Sequence, residues 1–337
     1  MPRFVTFGEI MLRLSTPGHQ RFTQAHSLEM NFGGGEANVA VGLAQWGHEA
    51  AFVTRLPEND LAEACLRHLR GVGIDTAAIS RGGERLGLYF LETGASQRPS
   101  AVIYDRARSA FAGLDPKEFD WAKILKGANW FHFSGITPAV SDAAARAVAD
   151  GAAEARKRGI PVSCDVNYRA KLWSVPKAKK VMTALMEYVD VCIANEGHTD
   201  TILGIAPPAA SITDPLERYL DIADKLVKKF GFKGVALTLR ESHSALRNGW
   251  GAVYLAGGKA YRSKSYQMEI VDRIGGGDAF AAGLVHGLMS KLPPQKAIEF
   301  AAAAGCLKHT MPGDFFHASK AEVQALVDGD GSGRVQR

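Results

Sequence analysis

The sequence has few cysteines, and no two of them stand close together. The four of them lie in separate apolar stretches and form no C-x-x-C pair: Cys65, Cys164, Cys192 and Cys306. Such surroundings are typical of reduced cysteines in a protein core, where they serve as small apolar residues. We therefore expect the protein to work in a reducing compartment, the cytoplasm.

The sequence also lacks a long apolar run and a strong excess of charge. No run approaches the roughly 20 apolar residues that a helix needs to cross a bilayer, so we expect no membrane partner. Lys and Arg total 40 against 35 for Asp and Glu, without a block of like charge, so no nucleic acid partner is implied. Residues 1–15 alternate like a strand and lack the order of a signal peptide, so we expect no export.

Three motifs that would fix a nucleotide or metal chemistry are missing from the sequence. A G-x-x-x-x-G-K-[ST] motif is not found, so a P-loop is excluded. The first strand is followed by Gly8 and Glu9 and not by G-x-G-x-x-G, which argues against a dinucleotide-binding oxidoreductase. The ten histidines show no H-E-x-x-H or similar spacing, which argues against a tightly bound transition metal. A protein that binds a nucleotide must then use another cradle.

The pattern that is present alternates strands with helices. Strands are predicted at 4–14, 51–54, 130–134, 162–166, 189–194 and 234–239, and helices at 36–46, 58–71, 141–158, 177–187, 216–230 and 278–291. The later strands are continuous apolar runs. Such strands, joined by helices, indicate an α/β fold with a mostly parallel central sheet covered by helices on both faces.

A predicted β-hairpin at 86–106 interrupts this alternation. Its strands, 86–92 and 101–106, flank a turn-rich segment at 94–99. We interpret segments of about 12–32 and 85–112 as a small β-sheet lid over one end of the main sheet, inserted in a single domain at 1–328. A second hairpin region is predicted at 244–266. The polar, glycine-rich tail at 329–337 is predicted to be flexible.

The sharpest chemical feature is the run of Gly275, Gly276, Gly277 and Asp278 between a strand end and a helix start. Glycines let backbone N–H groups approach an anion closely, and the positive end of the following helix adds to the attraction. A carboxylate directly after such a turn is costly beside phosphate unless it takes a proton from an attacking hydroxyl. The alternative is an ordinary Asp cap after a flexible turn, and these residues alone do not decide between the two.

Other residues are weaker candidates for ligand contact. The glycines at 33–35 precede a helix and could present Asn38 to a hydroxylated ligand. Arg169 follows a predicted parallel strand, where ligands gather, and could clamp a carboxylate; a surface salt bridge is the alternative. The lid residues Tyr89, Tyr104 and Arg106 could close over a substrate or simply cover an exposed β face.

In their order along the chain, these segments resemble the ribokinase-like (PfkB) carbohydrate kinases over nearly the whole sequence. The resemblance rests on two signatures, at 33–40 and 272–280, the second in the G-x-G-D form. Motifs at 104–106, 133–138, 165–169 and 312–315 look like the pattern of those family members that phosphorylate keto-deoxy sugar acids. It implies a ribokinase-like fold and ATP-dependent transfer of phosphate to a sugar acid.

The resemblance also implies roles for individual residues. Asp278 would be the catalytic base, with the amides of Gly275, Gly276 and Gly277 holding the phosphoryl charge. Substrate contacts are implied for Gly34, Tyr89, Tyr104, Arg106, Arg169 and Asp314. Nucleotide contacts are implied for Asn195, Thr238, Arg240, Gly275, Gly277 and His309. The implied cofactors are ATP and Mg²⁺, the use of a monovalent cation such as K⁺ stays open, and we expect a homo-oligomer.

The sequence departs from the family pattern at two positions. His198 replaces the glutamate that the family links to magnesium and phosphate handling, so the metal ligands stay unknown, and Glu196 is one candidate substitute. Arg240 stands where many sugar kinases have glycine. The alternatives are a fructokinase or ribokinase type of kinase, and a sugar-acid-binding protein of the same fold that has lost turnover.

Overall fold

The computed structural model describes residues 1–329, so the tail beyond Gly329 lies outside the described residues. Its strands are β1 Arg3–Phe7, β2 Met11–Ser15, β3 Glu29–Gly33, β4 Glu49–Val53, β5 Arg55–Leu56, β6 Ile74–Asp75, β7 Ser80–Arg81, β8 Gly87–Glu92, β9 Ala101–Asp105, β10 Trp130–Ser134, β11 Val162–Asp165, β12 Val191–Ala194, β13 Gly234–Ser242, β14 Arg247–Ala256, β15 Lys259–Arg262 and β16 Tyr266–Glu269.

The helices stand mostly between these strands. They are α1 Gly35–Gln45, α2 Asp60–Gly71, α3 Trp121–Ile124, α4 Thr137–Val140, α5 Asp142–Lys157, α6 Val175–Met186, α7 Glu196–Leu203, α8 Pro215–Phe230, α9 Gly276–Met289, α10 Pro294–Lys308 and α11 Lys320–Asp328. A short 3₁₀ turn covers Pro116–Glu118. No helix within residues 1–329 is long and apolar enough to cross a membrane.

The predicted α/β fold with a mostly parallel central sheet is confirmed. Within residues 1–329 the larger sheet has ten strands in the order β15, β14, β13, β12, β11, β10, β1, β4 and β6, with β16 also paired to β14. Seven neighbouring strands of this sheet are parallel to one another: β13, β12, β11, β10, β1, β4 and β6. The strand β14 runs antiparallel to β13, β15 and β16. The carboxyl ends of the parallel strands therefore meet at one edge.

Helices cover both faces of this sheet, as the continuous apolar strands predict. Alternate residues of one strand enter two different cores: in β12, Val191 and Ile193 pack on one side, and Cys192 and Ala194 pack on the other. A strand that is buried on both faces has no solvent-facing positions, which explains why polar residues do not alternate along it. All four cysteines are free and buried, in agreement with their apolar surroundings.

The predicted small sheet is also present. Its strand order is β3, β2, β8 and β9; β8 and β9 form the predicted antiparallel hairpin, and β2 joins β8 in parallel. This sheet stands apart from the larger one and covers the edge at which the parallel strands end, since residues of both sheets line one cavity there. A closing motion of this lid stays a prediction.

The prediction of a single strand at 4–14 is wrong. The segment forms two strands, β1 in the larger sheet and β2 in the smaller one. The chain passes between the sheets at Gly8, whose missing side chain leaves room for the Glu36 carboxylate, and at Glu9, which is buried. The alternation of apolar residues continues through this crossing, so the pattern alone does not reveal the change of sheet.

Candidate active site

A cavity of about 490 Å³ lies between the two sheets, at the carboxyl ends of the parallel strands. Ligands of open α/β sheets bind at this kind of edge. Residues predicted for the site line its wall: Gly34, Tyr89, Tyr104, Arg106, Arg169, Asn195, Thr238, Arg240, Gly275, Gly277, Asp278, His309 and Asp314. Gly276 is the exception: it lies beneath the His309 imidazole, which occupies the space that a Cβ atom would need.

The turn at 275–278 forms the start of the long helix α9. Gly275 has a φ of +82°, and a Cβ atom there would lie 2.3 Å from the carbonyl oxygen of Asp314, so only glycine fits the turn. Within residues 1–329 the N–H groups of Gly277 and Asp278 have no hydrogen-bond acceptor, and Gly277 faces open space. Free amides at a helix N-terminus bind an anion well.

Asp278 is held beside these amides by Asn38. The Asn38 Nδ2 atom donates a hydrogen bond of 2.7 Å to Asp278 Oδ2. Burial raises the pKa of Asp278 to about 6, against the opposing effect of this hydrogen bond, and the nearby Glu36 adds to the rise. The carboxylate is therefore mostly ionised at neutral pH and basic enough to accept a proton. Asn38, which the sequence suggested for ligand contact, lines the same cavity and bonds to Asp278.

The pKa of Asp278 predicts an acidic limb in the activity. If its carboxylate is the base, kcat/KM should fall as the pH drops below about 6, because the protonated carboxyl cannot accept another proton. Asn38→Ala should move this limb to higher pH, since the lost hydrogen bond stabilises the ionised form. A pH profile of kcat/KM for both proteins measures the shift. An unchanged midpoint in the variant would show that Asn38 does not set the pKa of the catalytic base.

Three further carboxylates lie on the cavity wall that were not among the predicted site residues, those of Glu9, Glu36 and Asp165. Glu36 is buried, and its Oε1 atom accepts hydrogen bonds from the backbone and hydroxyl of Ser134 and from the hydroxyl of Thr137. Burial raises the pKa of Asp165 to about 7, and the charge of Asp278 adds to this rise. Asp165 is the last residue of β11, so its position at the carboxyl end of a parallel strand was the signal that could have identified it.

Most predicted substrate residues are already bonded to other protein groups. Tyr89 donates a short hydrogen bond to the Asp314 carboxylate, which also accepts one of 3.3 Å from the Arg13 guanidinium. Arg106 is buried and forms an ion pair with Glu9. These polar groups are therefore held in place by bonds to other protein groups. They form a fixed wall of the cavity and do not offer unpaired charges to a ligand.

Arg169 differs from Arg106 in its bonding. Its side chain is exposed at the cavity, and within residues 1–329 it forms neither an ion pair nor a hydrogen bond. Its charge favours the ionised form of Asp278 and lowers the pKa of His198, so it acts on both sides of the cavity. A free guanidinium in a cleft is suited to a bidentate bond with a carboxylate.

The other end of the cavity carries a second group of positive charges. Arg240 of β13 and Arg273 both line it, and burial together with the charge of Arg273 lowers the pKa of Arg240. Arg273 was not among the predicted site residues. Two neighbouring guanidinium groups beside the amides at 275–278 favour a polyanionic ligand, such as the phosphates of a nucleotide.

Asn195 and His198 bond to each other at the start of α7. Asn195 Oδ1 accepts from the backbone N–H of His198 at 3.1 Å, and Asn195 Nδ2 lies 3.1 Å from His198 Nδ1. Nδ1 also accepts from the Tyr168 N–H at 3.3 Å. Burial lowers the pKa of His198 to about 4, and the charge of Arg169 adds to this, so the imidazole is neutral at physiological pH.

The cleft combines free amides at a glycine-rich helix start with a carboxylate beside them and guanidinium groups around them. This combination is typical of a kinase that acts on a small hydroxylated molecule. The chain belongs to the pfkB family of carbohydrate kinases, whose family model matches residues 1–319. It is a sugar kinase, and both the family resemblance and the ribokinase-like fold are confirmed.

Three known proteins illustrate the similarity. The chain is 33% identical over 329 residues to a 2-dehydro-3-deoxygalactonokinase from Haloferax volcanii, covering 98% of each chain. It is 50% identical to the crystal structure of a 2-dehydro-3-deoxygluconokinase from Thermotoga maritima, with a TM-score of 0.95, covering 98% of this chain and 100% of the other. A ribokinase II structure from E. coli with ATP and Mg²⁺ is 20% identical, with a TM-score of 0.81 and coverage of 97% and 99%, and shows the fold alone.

Proposed function

We propose that the protein transfers the terminal phosphoryl group of ATP to the C6 hydroxyl of 2-keto-3-deoxy-D-gluconate, giving the 6-phosphate and ADP. The observation that carries this proposal is the free guanidinium of Arg169 in the same cavity as Asp278 and the amides at 275–278. The names of the two relatives with the higher identity, which are kinases of 2-dehydro-3-deoxy sugar acids, support this substrate class.

Asp278 acts as the general base in this proposal. The hydrogen bond from Asn38 holds one oxygen of its carboxylate and leaves the other, Oδ1, to accept the proton of the substrate hydroxyl. The base stands next to the free amides of Gly277 and Asp278, so the hydroxyl oxygen is activated beside the groups that hold the phosphoryl oxygens. Transfer then places the negative charge that develops on the phosphoryl group at the positive end of α9.

Arg169 binds the substrate carboxylate and so orients the sugar acid with its far end toward Asp278. A neutral sugar would gain no charge-assisted bond from this guanidinium, whereas a sugar acid would. A fructokinase or ribokinase type of substrate is therefore disfavoured. Tyr104, which is 41% exposed and lies 5.8 Å from Tyr89 between ring centroids, closes the lid side of the same pocket.

Magnesium fits this site as an ion that arrives with the nucleotide. Within residues 1–329 no group of three or more His, Cys, Asp or Glu side chains is arranged to hold a metal. Mg²⁺ commonly keeps several waters and binds phosphates with one or two carboxylates, and Asp165 and Glu196 are the carboxylates that would serve on this wall. When bound, it neutralises phosphate charge. A homo-oligomer, a cytoplasmic location and the use of a monovalent cation stay predictions.

An ADP-release assay over a panel of sugars and sugar acids tests the proposal. The panel contains 2-keto-3-deoxy-D-gluconate, its galactonate epimer, fructose, ribose and a carboxylate-free analogue of the first compound. We expect the highest kcat/KM for a 2-keto-3-deoxy acid. A higher value for fructose or ribose would favour the neutral-sugar alternative. If the acid binds in the absence of ATP and no ADP is released when ATP is added, the binding-protein alternative would be favoured.

His198 gives a prediction about the metal. His198→Glu should lower the Mg²⁺ concentration that gives the half-maximal rate, because a carboxylate is a better ligand for this hard cation than a neutral imidazole. The gain should be larger at low Mg²⁺. His198→Gln, which adds no charge, is the matched control. If all three proteins gave the same Mg²⁺ midpoint, position 198 would have no part in holding the metal.

A further inference from the structure

Arg13 connects the small sheet to the turns that form the active site. It lies on β2 and is only 4% exposed, and its Nε atom donates to Ser15 Oγ at 2.6 Å. Its Nη2 atom donates to Asp272 Oδ2 at 2.6 Å, and its Nη1 atom donates to Asp314 Oδ1 at 3.3 Å. One guanidinium therefore bridges two buried carboxylates that belong to different loops.

Asp272 fixes the turn that leads to the free amides. Its Oδ1 atom accepts from the backbone N–H of Ile274 at 3.0 Å, and its Oδ2 atom accepts from the N–H of Gly313 at 3.1 Å. The first of these bonds holds the chain directly before Gly275, and the second ties this segment to the 312–314 loop. The position of Asp272 therefore sets the position of the helix start.

Asp314 fixes the second loop against the small sheet and against the turn at 275–278. Its carboxylate packs against Gly33, in the place that a Cβ atom there would take, and accepts a hydrogen bond from the Tyr89 hydroxyl. Its backbone carbonyl oxygen packs against Gly275. Burial lowers the pKa of Arg13, but the charges of Asp314 and Asp272 outweigh this effect and raise the pKa overall. The two carboxylates therefore favour the charged form of the Arg13 guanidinium in this buried place.

The second cation of this region, Lys308, feels the charges of Asp272 and Asp314 but does not join these carboxylates. Lys308 is fully buried, and its ammonium donates to the backbone carbonyl of Met311 at 3.0 Å. Within residues 1–329 it forms no ion pair with either carboxylate. Removing the Arg13 guanidinium therefore leaves Asp272 and Asp314 without the group that joins them, and like charges in a buried site repel each other.

We propose that Arg13 is a positioning residue that holds the phosphate-binding turn at 275–278 and the 312–314 loop at fixed positions relative to the small sheet. It touches neither the substrate nor the nucleotide in this account, and it acts through Asp272 and Asp314. The inference rests on the proposed role of the turn in phosphate binding. A shift of about 1 Å in such a turn can lower the rate about 100-fold, because the amides then no longer match the transferring phosphoryl group.

Chemical rescue of Arg13→Ala tests this inference. We expect kcat to fall about 100-fold, with a smaller change in KM for the sugar, because the amides act on the transition state. Millimolar, non-denaturing guanidinium chloride should restore part of kcat by filling the space between the two carboxylates, whereas KCl of equal ionic strength should restore less. A purely structural role would lower the melting temperature without a guanidinium-specific gain in kcat.

Arg85→Ala is the matched control, because Arg85 borders the same small sheet but pairs with Asp105 at the surface. It should keep the parent kcat and show no response to guanidinium. If Arg13→Ala does not fold, Arg13→Lys replaces it: lysine keeps the charge but cannot bond to both carboxylates through a planar fork, so kcat should still fall. A parent-like kcat in the folded variant, or a lowered kcat that guanidinium does not raise in Arg13→Ala, would overturn the inference.

These assays use whichever sugar or sugar acid gives the parent protein its highest rate. A failure of 2-keto-3-deoxy-D-gluconate as substrate would therefore count against the proposed function and leave the test of Arg13 intact. Conversely, an unchanged rate in Arg13→Ala with an active parent would count against the positioning role alone.

Discussion

Asp278→Asn should lower kcat by about 10²–10⁴-fold, the usual contribution of a general base. The amide keeps the shape of the side chain and can still contact Asn38, but it cannot take the proton of the attacking hydroxyl. The change also removes a negative charge beside the bound phosphates, so nucleotide affinity should not weaken. Steady-state kinetics measure the first effect, and calorimetric titration of the nucleotide measures the second.

Asp60→Asn is the control for this substitution. Asp60 also lies in the first turn of a helix, α2, but it is exposed and stands outside the cavity wall. Its variant should keep the parent kcat, since it loses only a weak interaction with the helix dipole. A kcat for Asp278→Asn within a few-fold of the parent would rule out Asp278 as the base.

Arg169→Ala should weaken the binding of a 2-keto-3-deoxy acid far more than the binding of its carboxylate-free analogue. Loss of a charge-assisted hydrogen-bonded pair costs about 1.5–3 kcal/mol, which raises Kd roughly 10- to 150-fold for the acid. The analogue has no carboxylate to lose, so its Kd should change little. Calorimetric titration of both ligands into both proteins gives the difference directly.

Lys171→Ala is the matched control for Arg169, since it removes an exposed positive charge two positions further along the chain. It should affect both ligands slightly and equally, because a solvated charge acts only at a distance. Equal losses for acid and analogue in Arg169→Ala would show that this guanidinium does not bind the carboxylate. The preference for sugar acids over neutral sugars would then need another source.

The sequence predicted the elements that build the cavity but not every contact inside it. Glycine turns before helices and strand ends are local features, so the wall formed by Gly34, Arg169 and the turn at 275–278 could be predicted from short motifs. The partner of each side chain could not, because it comes from a distant segment. Asn38 contacts Asp278 across 240 positions, and Arg106 contacts Glu9 across 97.

Glu9 shows why buried charges are hard to predict. It stands in an apolar alternation that continues from β1 into β2, and nothing in that pattern shows that the chain changes sheets there. Its burial is tolerated only because Arg106 and Ser109 bond to its carboxylate, and that compensation appears only in the folded protein. The same applies to Arg13, whose two acidic partners lie near the other end of the chain.

The helix α10 was missed for a different reason. It contains many Ala residues and is buried on nearly all sides, so it lacks the polar face that would give a helical period. It packs closely against α9, where Gly283 and Gly287 bring the two backbones together at Ala301 and Ala297. This contact supports α9, whose first turn carries the free amides and Asp278.

The most direct test of the central claim is the identity of the product, measured by proton-coupled ³¹P NMR after incubation with ATP, Mg²⁺ and 2-keto-3-deoxy-D-gluconate. Transfer to the C6 hydroxyl predicts a new phosphomonoester signal split into a triplet by the two methylene protons on C6, together with the signals of ADP. A doublet would place the phosphate on a secondary hydroxyl and contradict the proposed orientation of the acid between Arg169 and Asp278. ATP that stays intact beside this acid but is consumed with a neutral sugar would contradict the proposed substrate itself.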